Sequence, residues 1–239
     1  MNDPVALCVD AVAAWHASWL AALGIRSERD DAVWRALEPP PNIHFAAITL
    51  RPEAEATALV SAPGSICDSW QALELEPLRF RVWRRDPWYH RPASSVYGTE
   101  PPELNVIRVT TAAEVAELEE VSVRGFGGAD ARVEPGSLHP STILDDPRMA
   151  LFVGRVDGRP VSASMGYRTD DAVGVFGVTT IASARRRGYG TALTRAAMLP
   201  ETGLPMVLAS SEEGEQLYRG LGFHRVGELS IWVREDPVP

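Results

Sequence analysis

The chain has 239 residues, 45% of them apolar and 23% charged, a composition that supports a packed core and excludes a disordered polymer. All 23 basic side chains are arginines, which rules out Schiff-base chemistry on lysine and a lysine-bearing phosphate loop. The formal charge of −9 opposes a nucleic-acid surface.

Cys8 and Cys67 are too few and too isolated for a disulfide framework or a zinc site, so no metal is expected and both are assigned to the core. Charged residues or proline interrupt every apolar stretch before the ~18–20 residues of a membrane helix, and the N-terminus lacks the basic region of a leader. No membrane partner and a cytoplasmic location are therefore expected.

From the N-terminus, Val5, Val12, Trp15, Trp19 and Leu23 recur at helical spacing before Gly24. Ile43–Leu50 reads as a strand, 53–60 as a helix and Leu78–Trp83 as a strand. The proline-rich run 91–103 reads as a linker, because proline fixes φ and biases its predecessor away from helix. This separates a domain at 1–90 from one at 104–239.

In the second half Asn105–Val109 alternates as a strand, and Thr111 with Glu114 forms a capping box for a helix carrying Val115, Leu118 and Val121. The segment 125–147 is a long glycine- and proline-rich loop of the kind that binds ligands. Asp157-Gly158 marks a tight hairpin between two strands, and Val173–Ile181 is a third strand of the meander. A helix over Thr191–Met198, a buried strand Met206–Ala209, a helix Glu213–Arg219 and strands Phe223–Val226 and Leu229–Val233 complete the order. The fold class is mixed α/β (α+β), an antiparallel meander with flanking helices.

Arg185-Arg186-Arg187-Gly188-Tyr189-Gly190 stands where the third strand ends and a helix begins. Free N–H groups and the positive end of the helix dipole favour an anion there, and the glycines admit phosphate without a Cβ in the way. The dinucleotide fingerprint fails, since Leu193 stands where its third glycine belongs and the preceding sheet is antiparallel.

Arg-x-x-Gly-x-Gly in this setting resembles the pyrophosphate loop of the GNAT superfamily of acyl-CoA-dependent N-acetyltransferases. Leu208-Ala209-Ser210, then Gly214, Leu217-Tyr218 and Leu221-Gly222-Phe223, is similar to the second half of that family's signature. The resemblance covers roughly 105–234. It implies a GNAT-like mixed sheet with acetyl-CoA as cosubstrate, held in a splay between Val173–Ile181 and Met206–Ser210. It further implies that the backbone of Val178, Thr179 and Thr180 follows the pantetheine arm, and that Arg185, Arg186, Arg187, Gly188, Tyr189, Gly190 and Thr191 surround the pyrophosphate.

Carried over residue by residue, a Val178 N–H would hold the thioester oxygen and Tyr218 would protonate the departing thiolate, with Ser210 holding the thiol or a water. The strand Val173–Ile181 lacks the glutamate that acts as base in many relatives. Glu119, Glu120, Glu212 and Glu213 are substitutes on neighbouring elements, and His139 and His224 are read as ordinary polar residues. The implied activity is acetyl transfer to a primary amine, and the negative charge favours small cationic acceptors over acidic ones. A protein N-terminus or lysine is the other acceptor class. The rival reading is a non-catalytic acyl-CoA-binding module, which the missing glutamate favours.

The first half also carries an echo. Val82-Trp83-Arg84-Arg85-Asp86-Pro87 repeats the pattern of Ile231-Trp232-Val233-Arg234-Glu235-Asp236-Pro237. The N-terminal domain thus resembles a truncated, divergent copy of the same fold. Arg51-Pro52-Glu53 stands where its anion loop would be, so it is not expected to bind pyrophosphate.

Overall fold

The computed structural model describes residues 3–59 and 61–235. In chain order the elements are α1 (Pro4–Ala22), β1 (Ser27–Arg29), β2 (Val33–Ala36), β3 (Phe45–Thr49), β4 (Ser65–Asp68) and β5 (Phe80–Arg91). There follow β6 (Asn105–Arg108), α2 (Ala112–Gly127), β7 (Met149–Val156), β8 (Arg159–Arg168), β9 (Val173–Thr180), α3 (Tyr189–Met198), β10 (Met206–Ala209), α4 (Glu215–Gly220) and β11 (His224–Arg234). The chain divides into two compact units, one of residues 1–90, 208–215 and 224–239 and one of 91–207 and 216–223.

In the first unit Asp3 caps α1 by accepting from the Val5 N–H, Pro4 opens the helix, and Gly24 follows its end in the left-handed region. Contrary to the sequence expectation, α1 is long and apolar enough, at 19 residues and a mean hydropathy of 1.4, to cross a membrane by length and composition. Asp10 is its one charged residue and does not outweigh the apolar run. Half of the helix's most apolar window is buried within the protein. Leu7, Val12, Trp15, His16, Trp19 and Leu20 are all buried, as expected of a helix apolar on most of its circumference.

The strands of this unit run in the order β1-β2-β3-β4-β11-β5. β1, β2 and β3 form an antiparallel meander, and β4 then joins β3 in parallel. The two echoed segments are neighbours, for β11 pairs antiparallel with β5, Trp232 opposite Val82 and Ile231 opposite Arg84. Asp236 and Pro237 of the echo lie outside the described residues. Val33, Ala47, Leu59, Ile66, Phe80 and Trp232 form the core here.

Two expectations change. The helix read over 53–60 is a single 3-10 turn, Ala56–Ala58, because burial of Ala54 and Leu59 in the core overrides the alanine-rich propensity; Val60 lies outside the described residues. The two closing strands are one strand, β11, interrupted by an irregularity between Arg225 and Gly227.

In the second unit the order is β10-β9-β8-β7-β6. The capping box is present and reciprocal, with Glu114 N–H donating to Thr111 Oγ1 at 3.3 Å and Thr111 N–H to Glu114 Oε2 at 3.1 Å. Asp157 and Gly158 both take positive φ, 49° and 75°, as the two-residue hairpin between β7 and β8 demands. β10 joins β9 in parallel, so in each unit a parallel strand follows an antiparallel run, of three strands (β1–β3) in the first and four (β6–β9) in the second. The two units differ in the connection, which contains α3 in the second unit and, among the described residues, only the 3-10 turn in the first.

Candidate active site

The site grows from an irregularity in β9. Ala163 of β8 faces Thr179, but Met165 faces Phe176, so two residues of β8 span three of β9. Gly177 absorbs the extra residue at φ +57°. Beyond the bulge, the Ile181 N–H donates to Val161 O at 3.0 Å, which fixes the pleat. Alternation then turns the backbone groups of Val178 and Thr180 to the opposite edge. On that edge the parallel ladder has only two pairs, Met206 with Val173 and Val207 with Gly174, and it stops there. Val178 and Thr180 therefore turn their backbone groups to a stretch of edge beyond that short ladder, where the Thr180 carbonyl accepts from Arg185.

Thr179 is placed differently. Its backbone turns toward β8, where its carbonyl accepts from Ser162 Oγ at 2.6 Å, and a Cβ on Gly125 of α2 would overlap its side chain. Thr179 packs the helix onto the strand.

After β9, Arg186 takes φ +63° and Gly188 φ +81°, and α3 begins with Gly188 as a cap that offers no side chain. The first N–H groups of α3 are thus left for an anion. The three arginines have separate tasks. Arg185 donates to Thr180 O at 3.1 Å and to Gly125 O at 2.8 Å, bracing the loop against β9 and the end of α2. Arg186 and Arg187 are exposed at the surface of the loop.

Tyr189 is buried and its hydroxyl donates to Glu103 at 2.8 Å, so its side chain is engaged within the unit and its backbone opens α3. Thr191 is half-buried in the first turn. A Cβ on Gly190 would stand 3.2 Å from Leu217 Cδ1 and 3.8 Å from Thr180 Oγ1. The Arg185–Thr191 loop, the end of β9 and the helix carrying Tyr218 therefore converge. Tyr218 is buried, its ring edge-on to Phe223 at 5.9 Å.

Ser210 belongs to the first unit. Its hydroxyl donates to Ser211 O at 2.6 Å and its N–H to Pro87 O at 3.4 Å, the bonds of a residue that ends a strand.

None of the substitute bases is poised as one by its contacts. Glu119 is buried in α2 and accepts three backbone N–H groups, from Gly136 at 2.6 Å, Leu138 at 2.8 Å and His139 at 2.9 Å. It holds the long loop, a role invisible in a helical glutamate read from sequence. Glu120 is paired with Arg124, and Glu212 and Glu213 are exposed in a 3-10 turn. His139 is buried, and that burial pushes its imidazole down to about 3. His224 is exposed opposite His90, whose imidazole is lowered by burial and by His224. Asp86, a carboxylate of the first unit not foreseen, is buried on β5 with Arg84 at 2.7 Å; burial raises its carboxyl against the pull of Arg84. No metal-binding group of three or more His, Cys, Asp or Glu occurs among the described residues.

No family model and no curated protein matches the chain by sequence. Solved structures match by shape. A GCN5-related N-acetyltransferase from Kribbella flavida superposes with a TM-score of 0.65 at 18% identity, covering 95% of this chain and 96% of that one. A GCN5-related N-acetyltransferase from Sphaerobacter thermophilus gives 0.59 at 14% identity, covering 96% and 94%. A GCN5-related N-acetyltransferase-like protein from Streptococcus suis gives 0.54 at 14% identity, covering 95% and 100%.

Proposed function

We propose, from the premise that this chain has the fold of the GCN5-related N-acetyltransferases, that it transfers an acetyl group from acetyl-CoA to a primary amine. The observation that carries the reading is the conjunction in one unit of a β9 edge that runs beyond its short parallel ladder, a glycine-started helix without a side-chain cap and a buried tyrosine helix beside both. Such an arrangement suits a long ligand with a diphosphate in its middle. The pyrophosphate would lie on the N–H groups from Arg186 to Thr191, and the pantetheine arm would follow Val178 and Thr180 by strand-like hydrogen bonding.

For the reaction, the unprotonated amine attacks the thioester carbon, the new C–N bond forms and the C–S bond breaks. The Val178 N–H is the donor for the developing oxyanion, and the Tyr218 hydroxyl gives its proton to the leaving thiolate. The proton lost by nitrogen leaves through water. Glu119 keeps the loop 128–147 in one conformation as a wall for the acceptor. The cofactor is assigned to the second unit, since the described residues of the first unit's β3–β4 connection carry a 3-10 turn, Ala56–Ala58, and no α-helix to offer an anion.

A second reading, an acyl-CoA-binding module without turnover, is favoured by the absence of a carboxylate on β9 and by the engagement of Glu119. Release of free thiol from acetyl-CoA over a panel of polyamines, aminoglycosides and lysine peptides decides between them. Turnover that falls by ~10²–10⁴-fold in Tyr218→Phe, with acetyl-CoA affinity kept, supports the transferase. Binding without turnover on any amine supports the module.

A further inference from the structure

The segment that precedes β6 runs along α3, from its last turn at Arg195 to its start at Gly188. Arg195 of α3 donates to Thr99 O at 2.5 Å, and Pro101 Cγ lies 3.5 Å from where a Cβ on Gly188 would stand. Leu104 is buried, and a Cβ on Gly154 would come 3.0 Å from its Cδ1, so the segment is anchored immediately after Glu103. Between these anchors the Glu103 carboxylate accepts from the Tyr189 hydroxyl at 2.8 Å and interacts electrostatically with Arg187. A carboxylate is thus fixed beside the Arg185–Thr191 loop, to which the proposed function assigns the pyrophosphate. Its own backbone N–H, the Tyr189 hydroxyl and Arg187 together hold the Glu103 carboxyl below the usual range, so it is charged at neutral pH.

We propose that Glu103 sets how tightly the Arg185–Thr191 loop holds phosphate: its carboxylate is an internal anion that shares Arg187 with the ligand and weakens the field the ligand meets. The inference rests on the acyl-CoA reading and deepens it. A loop carrying two exposed arginines beside free helix N–H groups would otherwise hold any polyphosphate. Glu103 lowers that general affinity and leaves a larger share of binding to the contacts along β9, which only a ligand with a pantetheine-like arm can make.

Glu103→Gln is the clean test, because the amide oxygen still accepts from Tyr189 while the charge is gone. Acetyl-CoA and inorganic pyrophosphate are titrated calorimetrically into wild type and variant at about 50 mM and about 500 mM salt. The expected result is an affinity gain on the order of two- to fivefold for both ligands at low salt, larger in proportion for pyrophosphate and fading at high salt. Tyr189→Phe, which keeps the charge, should show no such salt-dependent gain. Unchanged or weaker binding by Glu103→Gln, with wild type binding both ligands, overturns the inference and leaves the function standing. A wild-type protein that binds neither ligand overturns both.

Discussion

The Arg185 guanidinium donates to the carbonyl oxygen of Gly125, 2.8 Å away and 60 residues earlier in the chain. Gly125 lies near the end of α2, where the carbonyls carry the negative end of the helix dipole, so the charge is favourably placed. The same side chain holds Thr180 O, and through these two bonds the phosphate loop is fixed to the strand and helix around it. Arg185→Ala should weaken acetyl-CoA binding about tenfold by loosening the loop and lower the denaturation midpoint, consistent with ~1.5–3 kcal/mol for a charged hydrogen-bonding group. A variant of wild-type stability with a small loss of affinity, equal to that of Arg186→Ala, would reduce Arg185 to one more phosphate ligand.

Gly177 decides the shape of β9. At φ +57° any other residue is strained, and a Cβ would overlap Met165 Cε, the flexible end of a side chain that can move. The backbone cost therefore dominates. Gly177→Ala should destabilise the protein by about 1–3 kcal/mol in urea unfolding and lower turnover by shifting the neighbouring Val178 N–H. A neutral substitution would mean that the bulge is free to relax.

The second unit is largely legible in the sequence because its signals are local. Thr111 and Glu114 cap a helix, Asp157-Gly158 turns a hairpin, and Gly188 and Gly190 open a helix, each through chemistry confined to a few residues. The first unit is less legible. β1, β2 and β4 are three or four residues long and stand among prolines and charged residues, too short for alternation to register. The insertion of β11 between β4 and β5 depends on contacts more than 130 residues apart, and no local pattern announces it. Glu119 escapes notice as an anchor for a related reason, since its partners are three backbone groups of a distant loop.

That anchor has a direct readout. The amides of Gly136, Leu138 and His139 should exchange with deuterium as slowly as the interior of α2, while neighbouring loop amides exchange fast. Glu119→Gln puts an amide NH₂ where an acceptor is needed and should release their protection by at least about tenfold. Equal protection in both proteins would show that the loop is held by other contacts.

Acid should unfold the protein through buried histidines. His16 stacks on Phe45 at 5.1 Å and burial pushes it down to about 4 from an ordinary value of 6.5; His139 is pushed down to about 3. Both are neutral when folded and take up protons on unfolding, so their contribution is intact above pH 6.5 and is lost as pH falls toward the folded values. For His16 that loss is on the order of 3 kcal/mol. Urea midpoints should fall steeply between about pH 6.5 and about pH 4, and His16→Phe, which keeps an aromatic ring on Phe45, should flatten the decline. An identical acid limb in the variant would remove His16 from the account.

The central claim is that one anion loop, in the second unit, receives acetyl-CoA. Calorimetric titration of the full chain with acetyl-CoA, repeated with Gly188→Val, tests it most directly. The valine side chain would meet a left-handed φ of +81° and fill the position of the phosphate. The account predicts one equivalent bound per chain by the wild type and none by a variant whose circular dichroism shows it folded. Two equivalents, no binding by the wild type, or unaltered binding by the folded variant would contradict it.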